Sequence, residues 1–276
     1  MIDSDFGPFD AAARGAAVPV GIAPRTRAPV RTPDGRTGAT RGSRTGSADL
    51  DGRVALVACA DGALGRAAAL AFSHEGSRVV LMRTPATGDP HGARAGALER
   101  ARAELESAGG RALVADGDPD DPERARDAVR RAIETWGALD ALVLDSTFRR
   151  AASASAVVRA SRPYLGMSAS LASVVRAPGR SGAASGPALL EHASMRAARP
   201  GFARALLAGL AREGIVADPV DGPGQSGAFE RLPPGGGALR GLGRHVLSLR
   251  DGSPERVAAC LVHLARADAD WTASRG

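Results

Sequence analysis

The chain of 276 residues contains no lysine and no asparagine, one glutamine (Gln225) and one tyrosine (Tyr164). All 36 basic side chains are therefore arginine. Each absence removes a chemistry: without lysine there is no Schiff base, no phosphate-loop lysine, and no Lys/Tyr or Lys/Asn catalytic pair. Aromatic residues make up only 3% of the chain, so Ala, Val and Leu must fill any core. The two cysteines, Cys59 and Cys260, stand far apart and in no metal-binding spacing. That argues against a disulfide scaffold and suits a reducing, cytoplasmic setting. No run of about 18 apolar residues occurs, so no membrane span is expected. The acidic start MIDSDFGPFD lacks the apolar region of a secretory signal.

What is present is an apolar content of 44%, enough for a sizeable core in one domain with an appendage. The net charge of +6 is split along the chain. Residues 1–48 carry seven Arg against four Asp, and the remainder interleaves 29 Arg with 26 acids. A mixed-charge surface with almost no aromatic partners for bases argues against nucleic-acid binding, which falls to the tail if it occurs at all. Residues 1–48 alternate Pro, Gly, Thr, Ser and Arg without a hydrophobic period and are expected to be a disordered tail. A start codon assigned too far upstream explains the same composition.

From Asp49 onward, short apolar runs alternate with helical stretches. Val54–Ala58 reads as a buried strand, Ala63–His74 as a helix ending at Gly76, and Arg78–Met82 as a second strand. A helix over about 93–107 leads to a strand at Ala112–Ala115. Asp121-Pro122-Glu123 marks a helix start that runs to Gly137, before a strand at Leu139–Leu144. This alternation predicts an α/β fold with a parallel sheet covered by helices on both faces. In the second half the pattern predicts helices over about 154–170 and 189–212, strands at 173–176 and Ile215–Val220, a flexible loop over 221–252, and a last helix after Ser253-Pro254-Glu255.

These residues resemble the short-chain dehydrogenase/reductase family over nearly all of 49–276. LDGRVALVACADGALGRAAALAFSHEGSRVVL looks like its first βαβ unit, ETWGALDALVLDST like the approach to its Asn-Asn-Ala-Gly turn, and LLAGLAREGIVADPVDGPG like the helix, strand and Pro-Gly (Pro223-Gly224) after its active site. The insert Pro85–Gly96 is similar to the hydroxyacyl-CoA dehydrogenase branch. The resemblance implies a Rossmann-type doubly wound parallel sheet, here with the last edge strand missing because the chain stops at Gly276. It implies an NAD(P)-dependent oxidoreductase acting on ketones or alcohols. The cofactor contacts would fall on Cys59, Gly62, Ala63, Leu64 and Gly65 of the dinucleotide turn, on Arg83 after the second strand, and on Asp118.

Inside that frame the functional positions have changed. The family's Thr-Gly-x-x-x-Gly-x-Gly falls on Ala58, Cys59, Ala63 and Gly65, so two of its three glycines are absent, and Asp61 adds charge where a dianion would sit. Arg83 with Arg66 favours a 2′-phosphate, hence NADP over NAD, although both also read as ordinary surface arginines. The family's Tyr and Lys fall on His192 and Arg196, its Ser on Gly179 with Ser181 close by, and its Asn on Arg159. Hydride transfer to a ketone needs an acid for the developing alkoxide, a cation that tunes it and a hydroxyl that fixes the carbonyl. His192 can act as that acid and Arg196 can hold the ribose, but replacement of all four roles predicts an impaired or inactive enzyme with weak or absent NADP or NAD binding. The alternative is a non-catalytic nucleotide-binding or scaffold partner of an active family member, paired through the helices near 154–170 and 189–212. Cys59 is expected to be an unreactive small residue.

Overall fold

The computed structural model describes residues 49–83, 96–115, 121–145, 151–176, 187–220 and 242–270. The tail 1–48, the insert from 84 to 95, Asp118, Gly179, Ser181, Pro223-Gly224 and the end of the chain from Trp271 lie outside the described residues.

Four short apolar runs build the first half. Strands β1 (Val54–Val57), β2 (Arg78–Met82), β3 (Arg111–Ala115) and β4 (Leu139–Asp145) alternate with helices α1 (Ala63–His74), α2 (Ala97–Ser107) and α3 (Pro122–Trp136). The helix boundaries follow local chemistry. Gly76, Gly109 and Gly137 each adopt positive φ just past a helix end, a conformation that glycine enters without steric penalty. Asp121 caps α3, its carboxylate accepting hydrogen bonds from the backbone N–H groups of Glu123 at 2.9 Å and Arg124 at 3.4 Å. Pro122 occupies the first turn, where its missing N–H leaves no bond unmade.

The remaining elements are α4 (Ala151–Ser161), β5 (Leu165–Arg176), β6 (Ala188–Ser194), α5 (Phe202–Arg212), β7 (Ala217–Val220), β8 (Gly243–Leu249) and α6 (Pro254–Ala269). Eight strands form one sheet in the order β3-β2-β1-β4-β5-β6-β8-β7. The five strands β3, β2, β1, β4 and β5 run parallel, as the alternating pattern predicts. Helices cover both faces. Val57, Leu81 and Val143 pack in one layer with Leu64, Leu105, Leu206 and Leu261 of α1, α2, α5 and α6. Leu56, Val80 and Leu144 pack in the other with Val129 and Val157 of α3 and α4. The order of connection reverses between β1 and β4, which opens a crevice at the carboxyl ends of those strands.

Beyond β5 the structure departs from the expected parallel sheet. Strands β6, β8 and β7 are antiparallel to their neighbours. Eleven residues separate Arg176 from Ala188, too few for the helical crossover that a parallel return needs. The helix expected over 189–212 is split. Pro200 forces Arg199 into extended backbone (φ −86°, ψ 142°) and Gly201 turns with φ 82°, so α5 begins only at Phe202 and 188–194 joins the sheet. The helix expected over 154–170 ends at Ser161, before Pro163, and β5 follows. Part of the expected flexible loop is strand β8. Gly243 opens β8 against the backbone of Ala197 and Ala198 with no room for a Cβ, and His245 Nε2 lies 2.9 Å from the Ala197 carbonyl. Among the described residues the sheet continues past β6 through β8 to β7, and the expected place of a last strand at the end of the chain lies outside the described residues.

Asp121→Ala should lower the free energy of unfolding by about 1 kcal/mol, read from chemical denaturation, because the α3 cap disappears. An unchanged transition midpoint would contradict the assigned cap.

Candidate functional site

The crevice is built by the turn after β1. Ala58 N–H donates to the Val143 carbonyl at 2.9 Å and Ala60 N–H to that of Met82 at 2.9 Å, so the turn is pinned to both neighbouring strands. Gly62 N–H then closes back on the Cys59 carbonyl at 3.0 Å, and α1 starts. To make this turn Cys59 adopts φ 63°, the left-handed region that a glycine enters freely and a side-chain-bearing residue enters at a cost of order 1 kcal/mol. The backbone path of a glycine turn thus persists with a cysteine in it. Gly65 meets the turn from the helix side: a Cβ there would fall on the Cys59 carbonyl, far inside contact distance. Gly62 is less constrained, since an added Cβ would meet the Cys59 oxygen at 3.4 Å and Asp145 Oδ2 at 3.9 Å, ordinary contacts.

A carboxylate of the protein lies close to the turn. Asp145, at the end of β4 and only 3% exposed, places its carboxylate beside the first residues of α1. That is where the positive pole of a helix attracts an anion. Asp61 stands on the turn itself. Arg66, expected to help hold a 2′-phosphate, instead donates a two-pronged pair of hydrogen bonds to Glu104 of α2 at 2.7 and 2.8 Å. The hydrogen bond from Arg66 holds the Glu104 carboxyl below its usual range. The tie is therefore in place at neutral pH and is lost as pH falls through that lowered value. Leu64 points into the core, Ala63 is exposed and Arg83 is half-buried beyond β2. In backbone the crevice fits the nicotinamide dinucleotide that the fold implies. In charge the fit is poorer, because the Asp145 carboxylate lies close to Gly62 at the start of α1 and Arg66 is engaged with Glu104.

His192 and Arg196 do not join this crevice. Val57, Val143, Ala172 and His192 lie in one row across β1, β4, β5 and β6, so His192 sits three strands, about 14 Å, from β1. Its ring projects from the sheet face into the layer beneath α5 and α6, wholly buried. Nε2 lies 2.9 Å from Asp268 Oδ2 and 3.3 Å from Ser170 Oγ, and the ring stacks on Phe202 at 5.9 Å between centroids. Phe202 in turn stacks on His245 at 5.7 Å. The Arg196 guanidinium lies over Phe202 and donates to the Ala267 carbonyl. Serine, histidine and aspartate meet here, but both oxygens approach the same ring nitrogen and all three residues are buried. A hydrolytic triad instead uses the two ring nitrogens for its two partners and presents its serine to substrate.

Sequence reasoning missed Asp268, Ser170 and the placement of Asp145 beside the start of α1. For Asp268 a signal existed: it is a carboxylate at the end of an otherwise apolar helical stripe. Among the described residues no group of three His, Cys, Asp or Glu side chains could hold a metal ion. Cys59 and Cys260 are both buried and not joined in a disulfide, and burial pushes the Cys260 thiol up to about 12.

A model of the short chain dehydrogenase family matches residues 53–162, which include the turn, α1 and the crevice strands. The chain is 30% identical over 198 residues to the uncharacterized oxidoreductase YhxD of Bacillus subtilis, covering 64% of this chain and 63% of that protein. Over these stretches the chain is similar to the short-chain dehydrogenase/reductase family. It is also 34% identical over 94 residues to L-rhamnose 1-dehydrogenase (NAD(P)(+)) of a Sphingomonas species, covering 34% of each. Among solved structures, a short chain dehydrogenase from Mycobacterium avium is 31% identical, with 42% of this chain and 46% of that one covered and a TM-score of 0.37. The match thus spans about a third of the rhamnose dehydrogenase and less than two thirds of YhxD.

Gly65→Ala should cost about 1–3 kcal/mol of stability by forcing α1 off the turn, whereas Gly62→Ala should change it by less than about 1 kcal/mol. Equal losses in thermal melts would contradict the close approach at Gly65. In the native protein at pH 8 neither thiol should react with a thiol reagent on the timescale in which unfolded chain reacts fully; rapid labelling of Cys59 would show an open turn.

Proposed function

We propose that this chain is an impaired or inactive short-chain dehydrogenase/reductase, a relative of NAD(P)-dependent ketone and alcohol oxidoreductases that has lost hydride-transfer chemistry. The observation that carries the reading is the engagement of His192 and Arg196 with α6, inside the covered face of the sheet. A proton donor for an alkoxide must reach the substrate carbonyl within hydrogen-bond distance. A fully buried His192 with a carboxylate on Nε2 meets no substrate.

The cofactor side supports the same reading. Asp145 supplies, from within the protein, the anion that the amino end of α1 attracts, so a pyrophosphate arriving there meets repulsion rather than a vacant positive pole. NADP or NAD is then held weakly or not at all. With Arg66 tied to Glu104, a preference for NADP rests on Arg83 alone. The apolar layers on both faces of the sheet are meanwhile intact. That combination favours, as a second reading, a scaffold that pairs with itself or with an active family member, in the cytoplasm. Among the described residues no helix is long and apolar enough to cross a membrane.

NADPH at millimolar concentration should leave the melting temperature nearly unchanged, and Asp145→Asn should yield a larger, saturable shift than the native chain. A clear saturable shift in the native chain would sink the weak-cofactor reading. Mixing the chain with an active family member and finding only the separate species on size-exclusion chromatography would remove the partner reading.

A further inference from the structure

An aspartate buried in the last turn of a helix is unfavourable twice. It gives up water, and it sits at the negative pole, where the last carbonyls lack helical partners. Asp268 is in that position at the end of α6, with 1% of its surface exposed. Upstream, α6 is held by large apolar side chains, among them Val257, Leu261 and Leu264, but its last turn buries only Ala265, Asp268 and Ala269. Polar contacts therefore decide where that turn sits.

Three positively charged or proton-donating groups from elsewhere in the chain converge on it. His192 Nε2 meets Asp268 Oδ2 at 2.9 Å, Arg196 donates to the Ala267 carbonyl, and Arg53 Nη2 donates to the Ala269 carbonyl at 3.3 Å. Arg53 is itself fixed, donating through Nη1 to Ser168 Oγ at 2.8 Å and to Asp140 at 3.2 Å. Arg266, on the outer side of the same turn, reaches Glu75 at 3.1 Å and also pairs with Asp49 and Glu213, which tie the outside of the turn. We propose that His192, Arg196 and Arg53 form a latch that holds the last turn of α6 against the sheet. The two positions that the sequence resemblance sets against the family's Tyr and Lys form, in this chain, the inner half of a helix anchor. Their residue types are set by Asp268 and the carbonyl ends of α6, not by a substrate.

Loss of one member should free the last turn of α6 and leave the parallel half in place. Native-state hydrogen exchange of the full chain reads this directly. Arg196→Met should speed exchange of the amides near 264–270 by roughly tenfold or more, as expected for one charge-assisted hydrogen bond, with β1 to β4 unchanged. His192→Leu should speed it on the order of a hundredfold, because Asp268 is left buried without its partner. The double variant His192→Leu with Asp268→Leu should recover most of that loss, since two apolar side chains replace the pair. Additive losses in the double variant, exchange spread evenly over β1 to β4, or no change in Arg196→Met would each overturn the proposal. If His192→Leu alone does not fold, Arg196→Met and the double variant still decide between the outcomes.

Discussion

A carboxyl group buried at the carbonyl end of a helix needs polar partners from the protein, and in this chain His192 Nε2 stands 2.9 Å from Asp268 Oδ2. Much of the second half follows from the pairing. Strand β6 must enter the sheet for His192 to face α6, and α5 must begin late enough for Phe202 to stack on the same ring. Arg196, one short turn further on, then falls on the Ala267 carbonyl. The same placement removes His192 and Arg196 from the carboxyl ends of the strands, where a dinucleotide-dependent reaction would take place.

The turn after β1 follows a comparable logic. The approach of α1 to the strand depends on Gly65, whose backbone touches the Cys59 carbonyl, and the chain keeps glycine there while accepting strain at Cys59. Glycine is kept where the close approach of α1 requires it, while a side chain occupies the positive-φ position of the turn. Asp145 completes the change, since the amino end of α1 now faces a carboxylate belonging to the protein. The crevice keeps the backbone outline of a glycine turn with a carboxylate of the protein beside it.

The first half was legible because its signals are local. The Asp121 cap, the glycines ending α1 and α3 and the short apolar strands each act within a few residues, and the parallel order follows from their alternation. The second half was not, because there a helical apolar period competes with breakers outside it. Pro200-Gly201 divides a run that reads as one helix, and β8 hides in a glycine-rich stretch whose strand state depends on Gly243 fitting against the backbone of Ala197. In the site, the absence of lysine and asparagine was readable from composition alone. The partners that now hold His192 were not, since Asp268 is 76 residues away and meets it only after β6 and α6 have docked.

The most direct test is a crystal structure of the full chain grown with NADPH at millimolar concentration. The account predicts an empty crevice beside Cys59 and Gly65, with the Asp268 carboxylate on His192 Nε2. A dinucleotide seated on the α1 turn, with the His192 ring directed toward its nicotinamide, would contradict it.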